Sequence, residues 1–147
     1  MDSGELMNRI VSHAEGFVTL VSKLFSDKGI LLDYSIESLE IVDVILEELR
    51  AAEWKGVALE SLAYVAGAYI CETVRKNYGG EYQYIEEEDQ VLVIAGLPDF
   101  YVSIRPFQKV MKRIINGKED SISFYIKGYK EHIERGKKEK NYSITLV

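Results

Sequence analysis

The spacing of apolar residues is helical through the first half of the chain and changes after Gly80. In the first segment they recur at intervals close to 3.6, the repeat of an α-helix. They are Ile10, Ala14, Phe17, Val21, Leu24 and Phe25. Asp2 stands three residues before Glu5, the spacing of a capping box, and Gly29 suits the left-handed residue after a helix. The pattern predicts a first helix from Asp2 or Ser3 to residues 27–29.

A second helix is predicted from Ser35, a good N-cap residue, to about residue 53. Its apolar stripe is Ile36, Leu39, Val42, Ile45, Leu46 and Leu49. Carboxylates recur elsewhere on it at steps of three and four, a spacing that places them along one side. They are Glu37, Glu40, Asp43 and Glu47, called the acidic stripe below.

The third helix, predicted over 57–78, is the longest mostly apolar segment. Small residues on its other sides let neighbouring elements approach closely, so we expect packing on more than one side. These residues are Ala63, Gly67, Ala68 and Cys71. A glycine inside a helix costs about 1 kcal/mol relative to alanine. A close contact at Gly67 is the simplest compensation.

Strand-forming residues then occupy 81–85, 91–95 and 100–104, separated by short turns, which predicts a three-stranded antiparallel meander. Pro106 suits the first position of a fourth helix that Asn116 and Gly117 end. Asp120 or Ser121 caps a fifth helix. Alternating residues at the end of the chain predict a terminal strand that pairs with a sheet edge: Tyr142, Ile144 and Leu146.

These elements predict one α+β domain over residues 1–147. Three N-terminal helices pack with a small antiparallel sheet, followed by two further helices and a C-terminal strand. The length is that of a single domain that buries its core without metals or disulfides.

The formal net charge of -6 argues against nucleic acid as a partner, because binding it requires clustered Lys and Arg. The charge is uneven: residues 33–53 carry seven acids and one base, whereas residues 127–140 carry six bases and three acids. The N-terminus has no basic leader pattern, and no run of 18 apolar residues occurs, so we expect no membrane span. The lone Cys71 favours a reducing, cytoplasmic compartment.

Motifs for cofactors and metals are weak. Gly79 and Gly80 lack the context of a phosphate loop, and His13 and His132 lack metal-pair spacing. The acidic stripe lies on a straight helix whose carboxylates do not converge on an ion. We expect no cofactor and no metal, and Cys71 as a buried structural thiol.

Glu72 lies inside the third helix, with Arg75 three residues on, where the two side chains can form an ion pair. A buried Glu beside an Arg can be catalytic, because burial and charge together tune its pKa. The alternative interpretation is a structural ion pair near the sheet.

Two stretches together resemble a loosely defined group of small uncharacterised bacterial α+β proteins. The first combines Leu32-Asp33-Tyr34-Ser35, Ser38-Leu39 and Val42-Asp43, and the second combines Gly67-Ala68-Tyr69, Glu72, Arg75 and Gly79-Gly80. The resemblance covers about the first 80 residues. It implies a bacterial cytosolic domain and carries no catalytic residues.

The hypothesis that follows is a non-enzymatic protein-binding domain. Its acidic stripe would meet a basic partner surface, with an immunity-type or other inhibitory role as one concrete version. One alternative is a small hydrolase or transferase that uses Glu72 and Arg75 in a cleft beside the sheet. Another is a homodimer that pairs sheet edges through the C-terminal strand.

Overall fold

The structure, a computed structural model, describes residues 2–147 and confirms the predicted α+β class. Three N-terminal helices precede a sheet, two further helices and a last strand. The helices are α1 (Ser3–Leu24), α2 (Ser38–Ala51), α3 (Gly56–Tyr78), α4 (Pro106–Asn116) and α5 (Ile122–Gly136). The strands are β1 (Glu81–Ile85), β2 (Gln90–Ala95), β3 (Tyr101–Ile104) and β4 (Ser143–Thr145).

Side-chain caps set the starts of several helices. The Asp2 carboxylate accepts a hydrogen bond from the Glu5 N–H at 2.8 Å, as the sequence predicts. Ser121, one of the two predicted caps of α5, accepts from the Phe124 N–H at 3.3 Å. Helix α2 begins at Ser38, later than predicted, because a tight turn of i to i+3 bonds precedes it. Ser35 still caps that turn, since its hydroxyl accepts from the Ser38 N–H at 3.1 Å.

Helix α3 is the centre of the molecule, with α1 packed along one side and α4 along another. Its middle is buried on every side from Ala66 to Val74. The predicted close contact at Gly67 is confirmed, because a Cβ there would lie 2.4 Å from Cδ1 of Phe107 on α4. The small residues of α3 therefore let two helices approach it from different directions.

Helix α3 is a possible membrane span by a broader criterion than a run of 18 apolar residues. This helix has 23 residues, and its most apolar window has a mean hydropathy of 1.3, so length and composition alone would allow it to cross a membrane. However, 61% of that window is buried inside the fold, as in the core helix of a soluble protein.

The sheet has the order β1-β2-β3-β4, and the predicted meander of β1, β2 and β3 is antiparallel. Strand β4 pairs with the edge of β3, as predicted, but runs parallel to it, so the sheet is mixed rather than antiparallel. The reason is the long connection, since α4 and α5 together carry the chain back to the starting end of β3. Residues on one face of the sheet join the helical core: Tyr82, Val91, Val93, Ala95, Val102 and Ile104.

Candidate functional site

The acidic stripe of α2 does not form one free surface. Asp43 points to the start of α5, where its carboxylate accepts from the backbone N–H groups of Ile122 at 2.8 Å and Ser123 at 2.9 Å. The same carboxylate contacts Arg113 of α4 at 3.2 Å and the hydroxyl of Ser121 at 3.1 Å. Asp43 is therefore a cap for α5 supplied by another helix, and it joins three helices.

Glu47 is the second carboxylate of the stripe that the fold uses internally. Arg113, which is buried, donates to it at 3.0 Å, and this bond holds the pKa of Glu47 below its usual value despite partial desolvation. Arg50 adds a further contact at 3.2 Å. A buried Arg with two carboxylates is compensated within the molecule, so neither Asp43 nor Glu47 is free for a partner.

The carboxylates of Glu37 and Glu40 are exposed. Together with Lys127, Lys130 and the exposed Phe124 they line a shallow cavity of about 490 Å³, and no ion pair crosses it within residues 2–147. Glu48, outside the predicted stripe, is also exposed and unpaired in the described chain. The acids of this segment that are exposed and without an ion pair are thus Glu37, just before α2, and Glu40 and Glu48 within it.

An apolar groove, which Glu48 borders, lies between α1, α2 and the beginning of α3. Its volume is about 430 Å³. Eleven of its thirteen lining residues are apolar, and Glu48 is its charged one. The lining residues are Phe17, Leu20, Val21, Leu24, Phe25, Ile45, Glu48, Leu49, Trp54, Ala58, Ser61, Leu62 and Val65.

Large apolar side chains at the rim of the groove are open to solvent. Leu24 is 60% exposed and Trp54 is 42% exposed. Single exposed apolar residues are normal on protein surfaces, whereas contiguous ones beside a concave apolar wall are typical of docking sites. The groove therefore has the shape and chemistry that receive the apolar face of another segment.

Glu72 and Arg75 form a well-aligned ion pair whose carboxylate is buried. Arg75 donates twice to the Glu72 carboxylate, at 2.7 and 3.0 Å, and the Tyr82 hydroxyl donates at 2.6 Å. Burial by itself raises the pKa of Glu72, but these hydrogen bonds outweigh it and lower the pKa below the ordinary value. The carboxylate is held ionised at neutral pH and accepts bonds from both neighbours.

This network has the character of a structural ion pair. Glu72 is only 2% exposed and lies in the part of α3 that is buried on every side. A general base needs access to a substrate proton. The geometry supports the alternative interpretation, a bridge between α3 and β1.

The other candidate residues have structural surroundings as well. Cys71 is buried, and burial raises the pKa of its thiol well above the usual value, as expected for an inert core thiol. His13 packs edge-on against Tyr64, while His132 shares a hydrogen bond with the Tyr142 hydroxyl at 2.5 Å. Residues 2–147 contain no group of His, Cys, Asp or Glu side chains that could hold a metal ion.

Strand β4 bears on the homodimer alternative. It is the last strand in the sheet order, so its outer edge is unpaired within the described part of the chain. Ser143 and Thr145 on that strand are exposed. The free edge is only three residues long, which is short for a stable strand pair between two copies.

Comparison of the chain with protein-family models, with curated proteins and with solved structures finds no match. The resemblance to small bacterial proteins therefore stays a prediction.

The sequence pattern missed the apolar groove. The groove combines residues from three helices and a loop, and only their packing brings these together. One usable signal was present, since Trp54 is a large apolar residue that belongs to no predicted helical stripe or strand.

Proposed function

We propose that this protein is a non-enzymatic, intracellular protein-binding domain. Its binding surface is the apolar groove with Glu48 on its wall. The observation that most directly supports this proposal is the groove itself. It is an open concave surface with eleven apolar lining residues and with exposed Leu24 and Trp54 at its rim.

The shape of the groove supports a helix as the occupant. Its walls are α1 and α2, and its floor includes residues of α3. An amphipathic helix lays apolar residues at i, i+3, i+4 and i+7 into such a groove. Burial of apolar area supplies the affinity, at roughly 25 cal/mol per Å² before the costs of association.

Charge supports a basic occupant. Glu48 lies in the groove wall and has no ion pair within residues 2–147. A segment with Lys or Arg beside its apolar face would place positive charge near this unpaired carboxylate. Such complementarity speeds encounter and makes binding weaken with added salt. An immunity-type or inhibitory role is one concrete version of this function.

The test uses synthetic peptides and the intrinsic fluorescence of Trp54, the one tryptophan of the chain. The first probe is a helical peptide of about 18 residues with Leu and Phe on one face and Lys on the other. The second carries the same apolar residues with Glu in place of Lys, and the third is a scrambled peptide. We expect the Lys peptide to shift Trp54 emission and bind most tightly.

Variants then locate the surface. Leu24→Glu and Ala58→Arg place charge in the groove at exposed positions, and each should weaken binding by about tenfold or more, which is about 1.4 kcal/mol. Val57→Glu is the matched control, because Val57 is 78% exposed and does not line the groove. Glu48→Lys should reverse the preference between the Lys and Glu peptides.

The proposal fails if all three peptides bind alike, or if Val57→Glu weakens binding as much as Leu24→Glu. Light scattering on the free protein distinguishes the homodimer alternative. A dimer that Leu24→Glu dissociates would mean that a second copy, rather than a basic helix, occupies the groove.

A further inference from the structure

A second, smaller cavity lies near the N-terminal end of α1, whereas the groove lies at its C-terminal end; here α1, α3, the hairpin of β1 and β2, and the start of α4 meet. Its volume is about 230 Å³. Three aromatic rings form much of its wall: Tyr64, Tyr84 and Phe107. The rings of Tyr64 and Phe107 are in contact, with centroids 4.9 Å apart, and Leu6 and Val91 complete the apolar lining.

Two opposite charges line the same cavity. Arg9 of α1 makes no ion pair or side-chain hydrogen bond within residues 2–147. Asp89 of the β-hairpin accepts from the Tyr84 hydroxyl at 2.7 Å through Oδ1. Its other oxygen has no partner in the described chain. The two charged groups do not approach within ion-pair distance of each other, so both remain able to bind a ligand.

We propose that this cavity binds a small zwitterion, a free α-amino acid with an aliphatic side chain. The α-carboxylate would pair with the Arg9 guanidinium, whose planar fork matches it, and the α-ammonium would pair with Asp89. The side chain would lie among the apolar and aromatic residues. This inference is independent of the proposed function, because it rests on different residues.

The charge balance of the wall selects this ligand class. A cage of aromatic rings with one acid suits a quaternary or methylated ammonium. Here the wall also carries Arg9. Its positive charge would repel a ligand that is only cationic, and its guanidinium would have no partner on such a ligand. A ligand that is only anionic would face Asp89 in the same way. A zwitterion satisfies both groups.

Size restricts the side chain. The volume of the cavity is that of about eight water molecules, since each water molecule occupies about 30 Å³ in the liquid. A ligand with about that number of non-hydrogen atoms, such as leucine, matches this space. Tryptophan-sized ligands would exceed it.

The experiment is isothermal titration calorimetry of the full chain with L-leucine. Two analogues are titrated alongside: 3-methylbutylamine, which lacks the carboxylate, and 4-methylpentanoate, which lacks the ammonium. We expect L-leucine to bind, and each analogue to bind about tenfold more weakly or worse, because each leaves one charged wall group unpaired.

Three variants accompany the titrations. Arg9→Gln keeps a good helix former at an exposed position of α1. Asp89→Asn keeps a residue that tolerates the left-handed backbone there, where φ is 49°. Each should lower leucine affinity by about tenfold or more. Lys23→Gln, at the far end of α1, is the control and should leave it unchanged.

The inference is overturned if L-leucine gives no saturable heat, or if Arg9→Gln and Asp89→Asn bind it like the parent protein. It is equally overturned if 3-methylbutylamine binds as tightly as leucine, because an ammonium cage would then suffice. Unchanged far-ultraviolet circular dichroism of both variants ensures that lost binding is not lost folding.

Discussion

Gly67 determines how closely α3 and α4 approach each other. The ring of Phe107 occupies the space that a Cβ at this position would need, at 2.4 Å. Phe107 also contacts Tyr64, and Tyr64 in turn contacts His13 of α1. A single hydrogen in place of a methyl group therefore positions an aromatic row that links α1, α3 and α4.

We predict that Gly67→Ala destabilises the protein by about 1–3 kcal/mol, the usual cost of overpacking a core. The gain of about 1 kcal/mol in helix propensity offsets part of the clash. Urea unfolding measures the change. The double variant with Phe107→Leu should cost less than the sum of the two single changes, because the smaller side chain makes room for the methyl group. Additive effects would contradict the contact.

Asp43 is the residue whose role in the structure differs most from its predicted role. The sequence places it on the acidic stripe that would meet a partner, whereas in the structure it accepts hydrogen bonds from α5 and lies beside the buried Arg113. An acid at a helix N-terminus is favoured by the helix dipole. The same carboxylate also compensates the charge of an arginine that is 3% exposed.

Asp43→Ala should destabilise the protein by about 3–5 kcal/mol, because it leaves Arg113 with one fewer carboxylate and exposes unpaired N–H groups at α5. Glu40→Ala is the matched control from the same helix and the same predicted stripe. As an exposed carboxylate without an ion pair, it should stay within about 0.5 kcal/mol of the parent. Equal effects of the two changes, measured by urea unfolding, would refute the division of the stripe.

At the scale of elements, α3 makes buried polar contacts with α2 and with the sheet. Tyr69 lies near its middle, and its hydroxyl pairs with Ser38 of α2 at 2.6 Å. Glu72 is one turn later and bonds Tyr82 of β1. Burial raises the pKa of Tyr82 above its usual value, and the hydrogen bond to Glu72 adds to the shift. Tyr82 therefore stays protonated and keeps donating.

The Glu72 network predicts a specific dependence of stability on pH. The pKa of Glu72 is lower in the folded protein than the ordinary value of 4.5. Its contribution is therefore fully present above that value and is lost as the pH falls through the lower folded pKa. In urea unfolding at a series of pH values, Tyr82→Phe should raise the folded pKa of Glu72 towards 4.5, so that the loss of stability is smaller and is complete at a higher pH.

Comparison with Glu72→Gln separates this effect from that of Glu47 and Asp120, whose pKa values are also lowered. The Gln variant should be less stable than the parent at neutral pH. Its stability should also fall less between pH values above and below 4.5. A parallel decline in both proteins would show that Glu72 is not responsible.

At the scale of the whole molecule, charge and apolar surface are arranged unevenly. Helix α2 packs one side against the core and directs Asp43 and Glu47 to Arg113 and α5. Its Glu40 and Glu48 are exposed, as is Glu37 just before its first residue. Glu48 lines the groove, whereas Glu37 and Glu40 line the cavity beside α5. The salt sensitivity of binding should therefore follow Glu48, and Asp43→Asn should change stability more than peptide affinity.

Much of the fold was predictable because local rules dominate it. The period of apolar residues identified the five helices and four strands, and Pro106, Ser121 and Asn116 marked boundaries through capping and stop chemistry. The direction of β4 was less accessible, because it depends on where two helices carry the chain.

What the sequence determined by itself was the identity of the elements, the buried faces and the need for a close neighbour at Gly67. Those properties follow from short-range spacing and from the size of individual side chains. Tertiary structure alone decided which carboxylates are free. Arg113 is 70 residues from Asp43, and no spacing rule joins them. The same long-range packing of three helices created the apolar groove, because a concave surface belongs to the arrangement of elements and to none of them separately.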